Sequence, residues 1–287
     1  MSVRNNQDRT GAKQSADAPA AIEEEESKAL PNPMSFVIPT EMVELPSKGQ
    51  GYPPGHPLCN KEMVEIRHMT AKDEDILTSR SLLKKGLALD RLIDNILVDK
   101  KVRAMNLLSG DRSAIVIEAR KYAYGNEYKT KLTCPACGEQ KRYKYDLNNK
   151  EIHYGEIPDE VVPNENGNFV VILPVSKFEI EIKRMTGKDE QDMVANIKKS
   201  SKNNNGVDTN LSEQLKTIIV SVNGDTRRAT CNYFAENMLS SDTRHIRNMY
   251  KQINPDVKLK FDFECRACGH EQELEVALDA DFFWPER

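Results

Sequence analysis

The sequence predicts an α+β fold in which one strand, helices and hairpin unit is written twice. Three observations carry that reading. The stretch Val64-Glu65-Ile66-Arg67-His68-Met69-Thr70-Ala71-Lys72-Asp73-Glu74 returns as Ile180-Glu181-Ile182-Lys183-Arg184-Met185-Thr186-Gly187-Lys188-Asp189-Glu190. Cys134-Pro135-Ala136-Cys137-Gly138 returns as Cys265-Arg266-Ala267-Cys268-Gly269. Between these motifs, Asn106, Leu108, Ser109 and Asp111 match Asn237, Leu239, Ser240 and Asp242, and both aspartates precede their first cysteine by the same interval. Met69 and Met185 are about 116 positions apart and the cysteine motifs about 131, so the second copy gains about fifteen residues. The polar, turn-forming run Lys198 to Asp208 is where an inserted loop is expected.

Taken in order, residues 1–42 read as an acidic arm without a packed core, with the run Glu23-Glu24-Glu25-Glu26 and few bulky apolar groups. Residues 43–61 hold Leu45-Pro46-Ser47-Lys48-Gly49-Gln50-Gly51-Tyr52-Pro53, where proline and glycine exclude regular helix and central strand, so an irregular surface strap is expected. Residues 62–150 form the first repeat. Alternation of Val64, Ile66 and His68 with Met63, Glu65 and Arg67 predicts a half-buried strand. Thr70, with Asp73 and Glu74 in the first turn, caps a helix over 71–85 that ends at Gly86. A second helix over 87–98 places Leu89, Leu92, Ile93 and Ile96 on one face. Ser109 starts a further helix that stops near Gly125, as Ser240 starts one that stops at Asn254-Pro255. Residues 151–177 are expected as a linker, 178–280 as the second repeat and 281–287 as an aromatic tail. For Phe282, Phe283 and Trp284 the two readings are a fold-back onto the core, which is favoured, and a plug for a partner's pocket.

Each repeat ends in two strands flanking a Cys-x-x-Cys-Gly knuckle, over 128–133 and 141–147, then 258–264 and 271–278. A tetrahedral zinc shell takes four ligands, so Cys134, Cys137, Cys265 and Cys268 together make one structural Zn2+ site per chain, a zinc ribbon that joins two repeats related by a pseudo-twofold axis. Two other readings compete. A thioredoxin-type dithiol needs its first thiol at a helix N-terminus, whereas Cys137 is followed by glycine and a strand. Two separate or intermolecular sites need ligands from elsewhere. His270 is close enough in sequence to intrude, but four cysteines already close the shell. The charges on the hairpins differ: Lys129, Lys131, Lys141, Arg142 and Lys144 on the first, Asp262, Glu264, Glu271, Glu273 and Glu275 on the second. Opposite signs are expected to steer the two hairpins onto each other.

Composition narrows the function. The chain has 287 residues, 38% of them hydrophobic, enough for one or two ordinary cores. No apolar run approaches the roughly 20 residues that span a bilayer, and no signal peptide pattern opens the sequence, so a reducing cytoplasm and metal rather than disulfides are expected. A net charge of −4 argues against a long nucleic-acid-binding surface. Cys59 and Cys231 lack a partner and read as small buried groups. His56, His68, His153 and His245 are scattered, and the paired acids Asp73-Glu74 and Asp189-Glu190 fit helix caps. Nothing in the pattern sets a nucleophile beside a base, so no enzyme is expected.

At Leu45-Pro46-Ser47-Lys48-Gly49, Tyr52-Pro53, Gly55-His56-Pro57-Leu58 and Met69-Thr70-Ala71-Lys72-Asp73-Glu74-Asp75-Ile76-Leu77-Thr78-Ser79, the chain resembles the baseplate protein family of T-even-type contractile-tailed bacteriophages. The resemblance implies a structural or chaperone-like component used in building the baseplate hub, with hub, spike or tape-measure proteins as partners and no membrane. It places the protein in the host cytoplasm during tail assembly, or in the baseplate of the virion tail. The rival reading is a zinc-ribbon nucleic-acid-binding or transcription adaptor, which draws on the basic first hairpin and on Tyr143 and Tyr145 as stacking groups.

Overall fold

The computed structural model describes residues 37–203, 210–276, 278 and 280–283. Residues 1–36 of the expected arm, 204–209 of the expected loop and Trp284 lie outside them. Ile38–Arg287 forms one unit.

The first strand, β1 (Thr40–Glu44), falls where the arm was expected to run on, and pairs antiparallel with β2 (Met63–Arg67). In β2 the expected alternation holds, with Val64 and Ile66 buried and Met63 and Glu65 exposed. The strap between the two strands is irregular, but it is not a surface feature. Leu45, Ser47, Tyr52 and Leu58 are buried. The reason is a polar anchor: Asp111 Oδ1 accepts the Ser47 N–H (3.0 Å), and its Oδ2 accepts the Ser47 and Tyr52 hydroxyls (both 2.6 Å). A buried carboxylate satisfied by three donors holds the strap inward.

Next come α1 (Ala71–Thr78), α2 (Arg80–Lys85) and α3 (Ala88–Ile96). The single helix expected over 71–85 is broken at Ser79, whose backbone is extended. The Thr78 hydroxyl donates to the Glu74 carbonyl at 2.9 Å, the local side-chain bonding with which Ser and Thr compete against helix continuation. The cap at Thr70 is as expected: Asp73 accepts its N–H at 2.7 Å and its hydroxyl at 2.9 Å. Later in the chain Asp189 does the same for Thr186, at 3.0 and 2.8 Å. A long helix, α4 (Ser109–Tyr124), leads into the hairpin β3 (Glu127–Thr133) and β4 (Gln140–Asp146).

Residues 151–177, expected as a linker, hold three strands: β5 (Glu151–His153), β6 (Val162–Pro163) and β7 (Phe169–Ile172). Then follow β8 (Glu179–Ile182), α5 (Gly187–Asn203), α6 (Asn210–Ile218), β9 (Ile219–Val222), α7 (Arg228–Asn237) and α8 (Ser240–Ile253). Strands β6, β7, β8 and β9 make one antiparallel sheet in that order. The stretch expected as an inserted loop is partly helix, since α5 continues through residues 198–203. The chain closes with β10 (Asp256–Lys258), β11 (Lys260–Glu264), β12 (Glu271–Glu275) and a 3-10 turn, Ala280–Phe283. The strand expected over 258–264 is thus cut at Leu259, which leaves the sheet to enter a core.

Two main apolar cores result. One gathers β1, β2, the strap, α3 and α4 with Val257, Leu259, Phe282 and Phe283 from the end of the chain. The other lies under β7 to β9 and α6 to α8. Phe282 and Phe283 have therefore folded back, and Arg120 Nε donates to the Phe282 carbonyl at 3.0 Å.

Segments far apart in the sequence touch over much more than the cysteines. The Ser109 N–H and hydroxyl both reach the Met185 carbonyl at 3.1 Å, the Gly187 N–H reaches the Leu107 carbonyl at 2.9 Å, and β5 pairs with β10. Arg184, 6% exposed, donates to the Gln50 carbonyl at 2.9 Å and the Ile253 carbonyl at 3.0 Å.

Candidate metal centre

The four cysteines lie at the ends of β3–β4 and β11–β12. Each pair occupies a turn of the same build. The Gly138 amide donates to the Cys134 carbonyl at 2.9 Å and the Cys134 amide to the Glu139 carbonyl at 2.8 Å. In the second knuckle Gly269 donates to Cys265 at 2.8 Å and Cys265 to His270 at 2.9 Å. The glycines make this possible: their φ values of 76° and 69° are left-handed, where a Cβ would strain the turn. No helix begins at either pair, which removes the geometry that a redox dithiol uses to activate its thiol.

The turns bring the sulfurs together from opposite ends of the sequence. Cys134 Sγ lies 3.7 Å from Cys268 Sγ, and Cys137 Sγ lies 3.6 Å from Cys265 Sγ. All four ligand atoms fall within 4.8 Å of one another. For a tetrahedron of thiolates at about 2.3 Å from a central ion, the edge is about 3.8 Å, so the spacing fits a single metal. It is far too long for a disulfide at about 2.05 Å. Cys134 and Cys265 are buried, Cys137 and Cys268 exposed, so the centre sits at the rim of the lobe.

Electrostatics point the same way. The Cys268 amide, followed by that of Ala267, brings the Cys265 thiol down to about 6, into the range where it is a thiolate at neutral pH. The Glu139 amide favours the Cys137 thiolate too, but the neighbouring sulfurs and burial outweigh it and push Cys137 up to about 12. Cys268 has the same conflict: the His270 amide and Cys137 pull it down, while burial, Cys265 and Cys134 push it up. Four sulfurs this close resist joint ionisation, and a bound divalent cation would relieve the repulsion.

A third, small cluster supports the centre. Phe263 packs with Cys134 and Cys265, flanked by Leu132, Tyr143 and Leu274. The Tyr143 and Phe263 rings meet at 5.0 Å, and the Tyr143 hydroxyl donates to the Glu264 carbonyl at 3.1 Å. The hairpins thus meet through their apolar faces. The expectation that their opposite charges steer them together is not what the structure shows: apart from Lys141, which stands half-buried opposite Leu132, the charged side chains lie on the exposed faces, and the ion pairs are local, Lys129 and Lys144 to Glu127 and Lys260 to Glu273. Strand alternation decides this, because residues of one parity must share a face.

The remaining candidates sort simply. The His270 ring lies 3.4 Å from Gln272 Oε1, outside the sulfur group. Cys59 is half-buried against the first core, and Cys231 is buried with its thiol toward the Val220 carbonyl. His56 stacks on Tyr52, His68 on Tyr122, and His153 meets the Gln252 carbonyl, each in its own local contact. Asp73 and Asp189 cap helices while pairing with Arg67 and Lys183.

Sequence reasoning missed the role of Asp111 and Asp242, both fully buried. Asp242 receives the Val175 and Ser176 N–H groups at 3.0 Å, as Asp111 receives Ser47. Their matched positions ahead of the cysteines were visible; that each anchors an upstream turn was not.

With both cysteine pairs and both buried aspartates in place, a family match spans the same fold. The family model described as T4 bacteriophage base plate protein matches residues 38–284. The chain belongs to this family. The match covers the strap, both knuckles and the fold-back phenylalanines. Comparison with curated proteins and with solved structures returns no match. Family membership makes this a phage baseplate protein whose partners are other phage tail proteins, and it suggests a structural rather than an enzymatic role. Among the described residues no helix is long and apolar enough to cross a membrane.

Proposed function

We propose that the protein is a structural or assembly component of the baseplate hub, acting through protein-protein contacts with hub, spike or tape-measure proteins, and that Cys134, Cys137, Cys265 and Cys268 hold one structural zinc per chain. The convergence of the four sulfurs within 4.8 Å, in a chain of the base plate family, carries this reading. A shell of four thiolates leaves zinc no open position for water, so the ion would act as a fastener and not as a Lewis acid. The magnitudes agree with that role. The apolar cluster of the lobe has one large fully buried side chain, Phe263, worth about 2 to 3 kcal/mol. Structural zinc contributes on the order of 10 kcal/mol.

The same reading takes the two repeats as a duplication, with a pseudo-twofold relation between β2 and β8. It is supported by the paired caps at Asp73 and Asp189, the paired anchors at Asp111 and Asp242, and the paired knuckles. The second reading, a nucleic-acid adaptor, has in its favour the exposed Lys131 and Arg142.

Two measurements test this. Metal analysis of the purified full chain is expected to give one zinc per chain, and Cys134→Ser with Cys265→Ser to abolish it; full retention of zinc by that variant overturns the shared site. Pull-down from infected cells at high salt is expected to recover tail proteins. Recovery of nucleic acid alone, in binding that weakens steeply with salt, favours the adaptor.

A further inference from the structure

The four-cysteine lobe is electrically polarised. In β3–β4 the register sets Lys129 opposite Lys144 and Lys131 opposite Arg142, all exposed. In β11–β12 it sets Asp262 opposite Glu273 and Glu264 opposite Glu271, again all exposed. Like charges placed directly across a strand pair are unfavourable, and here the first hairpin carries two basic pairs, with the acidic pair Glu127 and Asp146 at the end away from the knuckle, and the second hairpin carries two acidic pairs. Part of the cost is relieved locally, by Glu127 beside Lys129 and Lys144 and by Lys260 beside Glu273. The pairs nearest the knuckles, Lys131 with Arg142 and Glu264 with Glu271, have no ion-pair partner among the described residues. Nor can the two faces neutralise one another within a copy: the apolar faces of the hairpins meet at Phe263, Tyr143, Leu132 and Leu274, so the charged faces look outward on opposite sides of the lobe.

We propose that this lobe couples copies of the chain head to tail, the basic face of β3–β4 in one copy seated on the acidic face of β11–β12 in the next. The occupant follows from complementarity. A polyanion would answer the basic face and leave the acidic one unexplained, and an acidic or basic peptide has the same shortcoming. A second copy of the chain answers both at once. Because the two faces differ, the contact is heterologous, and repetition generates a ring when the rotation closes. The faces are small: a seven-residue strand is about 23 Å long, and a two-stranded face is well under the roughly 800 Å² per partner of a stable interface. The contact is therefore weak in a single pair and gains from ring closure. The inference depends on the placement of the hairpins and goes beyond the zinc and hub reading.

Sedimentation velocity of the nuclease-treated full chain over a concentration series tests it. Self-association is expected at low salt and at least about tenfold weaker near 1 M salt, where the Debye length is about 3 Å. Lys131→Glu with Arg142→Glu leaves two acidic faces, and Asp262→Lys with Glu264→Lys and Glu271→Lys leaves two basic ones; each variant alone is expected to stay monomeric. Mixing the two is expected to restore association, because one native and one reversed contact then alternate. The neutral variant Lys131→Gln with Arg142→Gln, in surface positions that tolerate the change, is expected to weaken association without altering circular dichroism. A wild-type chain that is monomeric at every concentration, association that nuclease removes, or folded charge-reversed variants that associate as the wild type or fail to associate on mixing overturns the proposal.

Discussion

The Tyr52 hydroxyl donates to the Asp111 carboxylate at 2.6 Å, across 59 residues. The same hydroxyl accepts the Leu108 N–H at 3.1 Å, so one phenol ties the strap to the start of α4. Burial, then the charge of Asp111, hold its pKa well above the ordinary tyrosine value, and it stays a donor throughout the accessible range. Tyr52→Phe leaves the Leu108 amide without its acceptor and removes one of three donors to a buried carboxylate. The expected loss is about 1 to 3 kcal/mol in urea unfolding, with an unchanged denaturant slope.

Arg112 stands between Asp90 and the distant Glu190 and bonds to both. Its removal strands the buried Asp90. Arg112→Met is expected to cost about 3 kcal/mol, and Arg112→Met with Asp90→Leu much less, because the uncompensated charge is then gone. Thermal unfolding of the two variants gives the comparison; equal losses would show that the triad is a solvated surface pair.

Gly110 packs directly against the backbone at Pro255. A Cβ there would lie 2.2 Å from the Pro255 carbonyl oxygen, a backbone atom with little freedom to retreat. Gly110→Ala, normally favourable inside a helix, is expected to destabilise by about 1 to 3 kcal/mol, as measured by the denaturation midpoint.

The two helix caps set an acid limit. Burial raises the pKa of Asp73, but Arg67, the Thr70 amide and Asn95 outweigh it and hold its carboxyl below the ordinary value. Burial likewise opposes, and Lys183 with the Thr186 amide outweighs, in Asp189. A carboxyl with a lowered folded pKa adds stability above its unfolded value, near 4, and loses it as pH falls through the folded one. The melting temperature is therefore expected to drop below about pH 4, with a shallower drop in Asp73→Asn and shallower still with Asp189→Asn added.

Metal removal is expected to act locally. Since Ser109, Gly187, Arg184 and β5–β10 tie distant segments of the chain together independently of sulfur, a chelator should raise hydrogen exchange in β3, β4, β11 and β12 while α4 and α8 keep their protection. Uniform loss of protection would mean that the lobe holds the whole fold.

Short-range features were legible in the sequence. Strand alternation in Val64 and Ile66, the Thr70 and Thr186 caps, the glycine knuckles and the convergence of the two cysteine pairs follow from spacing, because each depends on a few adjacent dihedral angles or on the ligand number that a four-thiol site would take. The helix break at Ser79 was not, since a hydroxyl's choice between water and its own backbone leaves no periodic trace. Nor was the burial of the strap: prolines and glycines mark irregular backbone, and only the distant carboxylate of Asp111 turns that backbone inward. What the residues alone determined is that two thiol pairs sit in turns of one build and come together. Which way the charged strand faces look was decided by tertiary packing, because apolar Phe263 and Tyr143 take the inside of the lobe and strand parity sends the lysines and glutamates out on opposite sides.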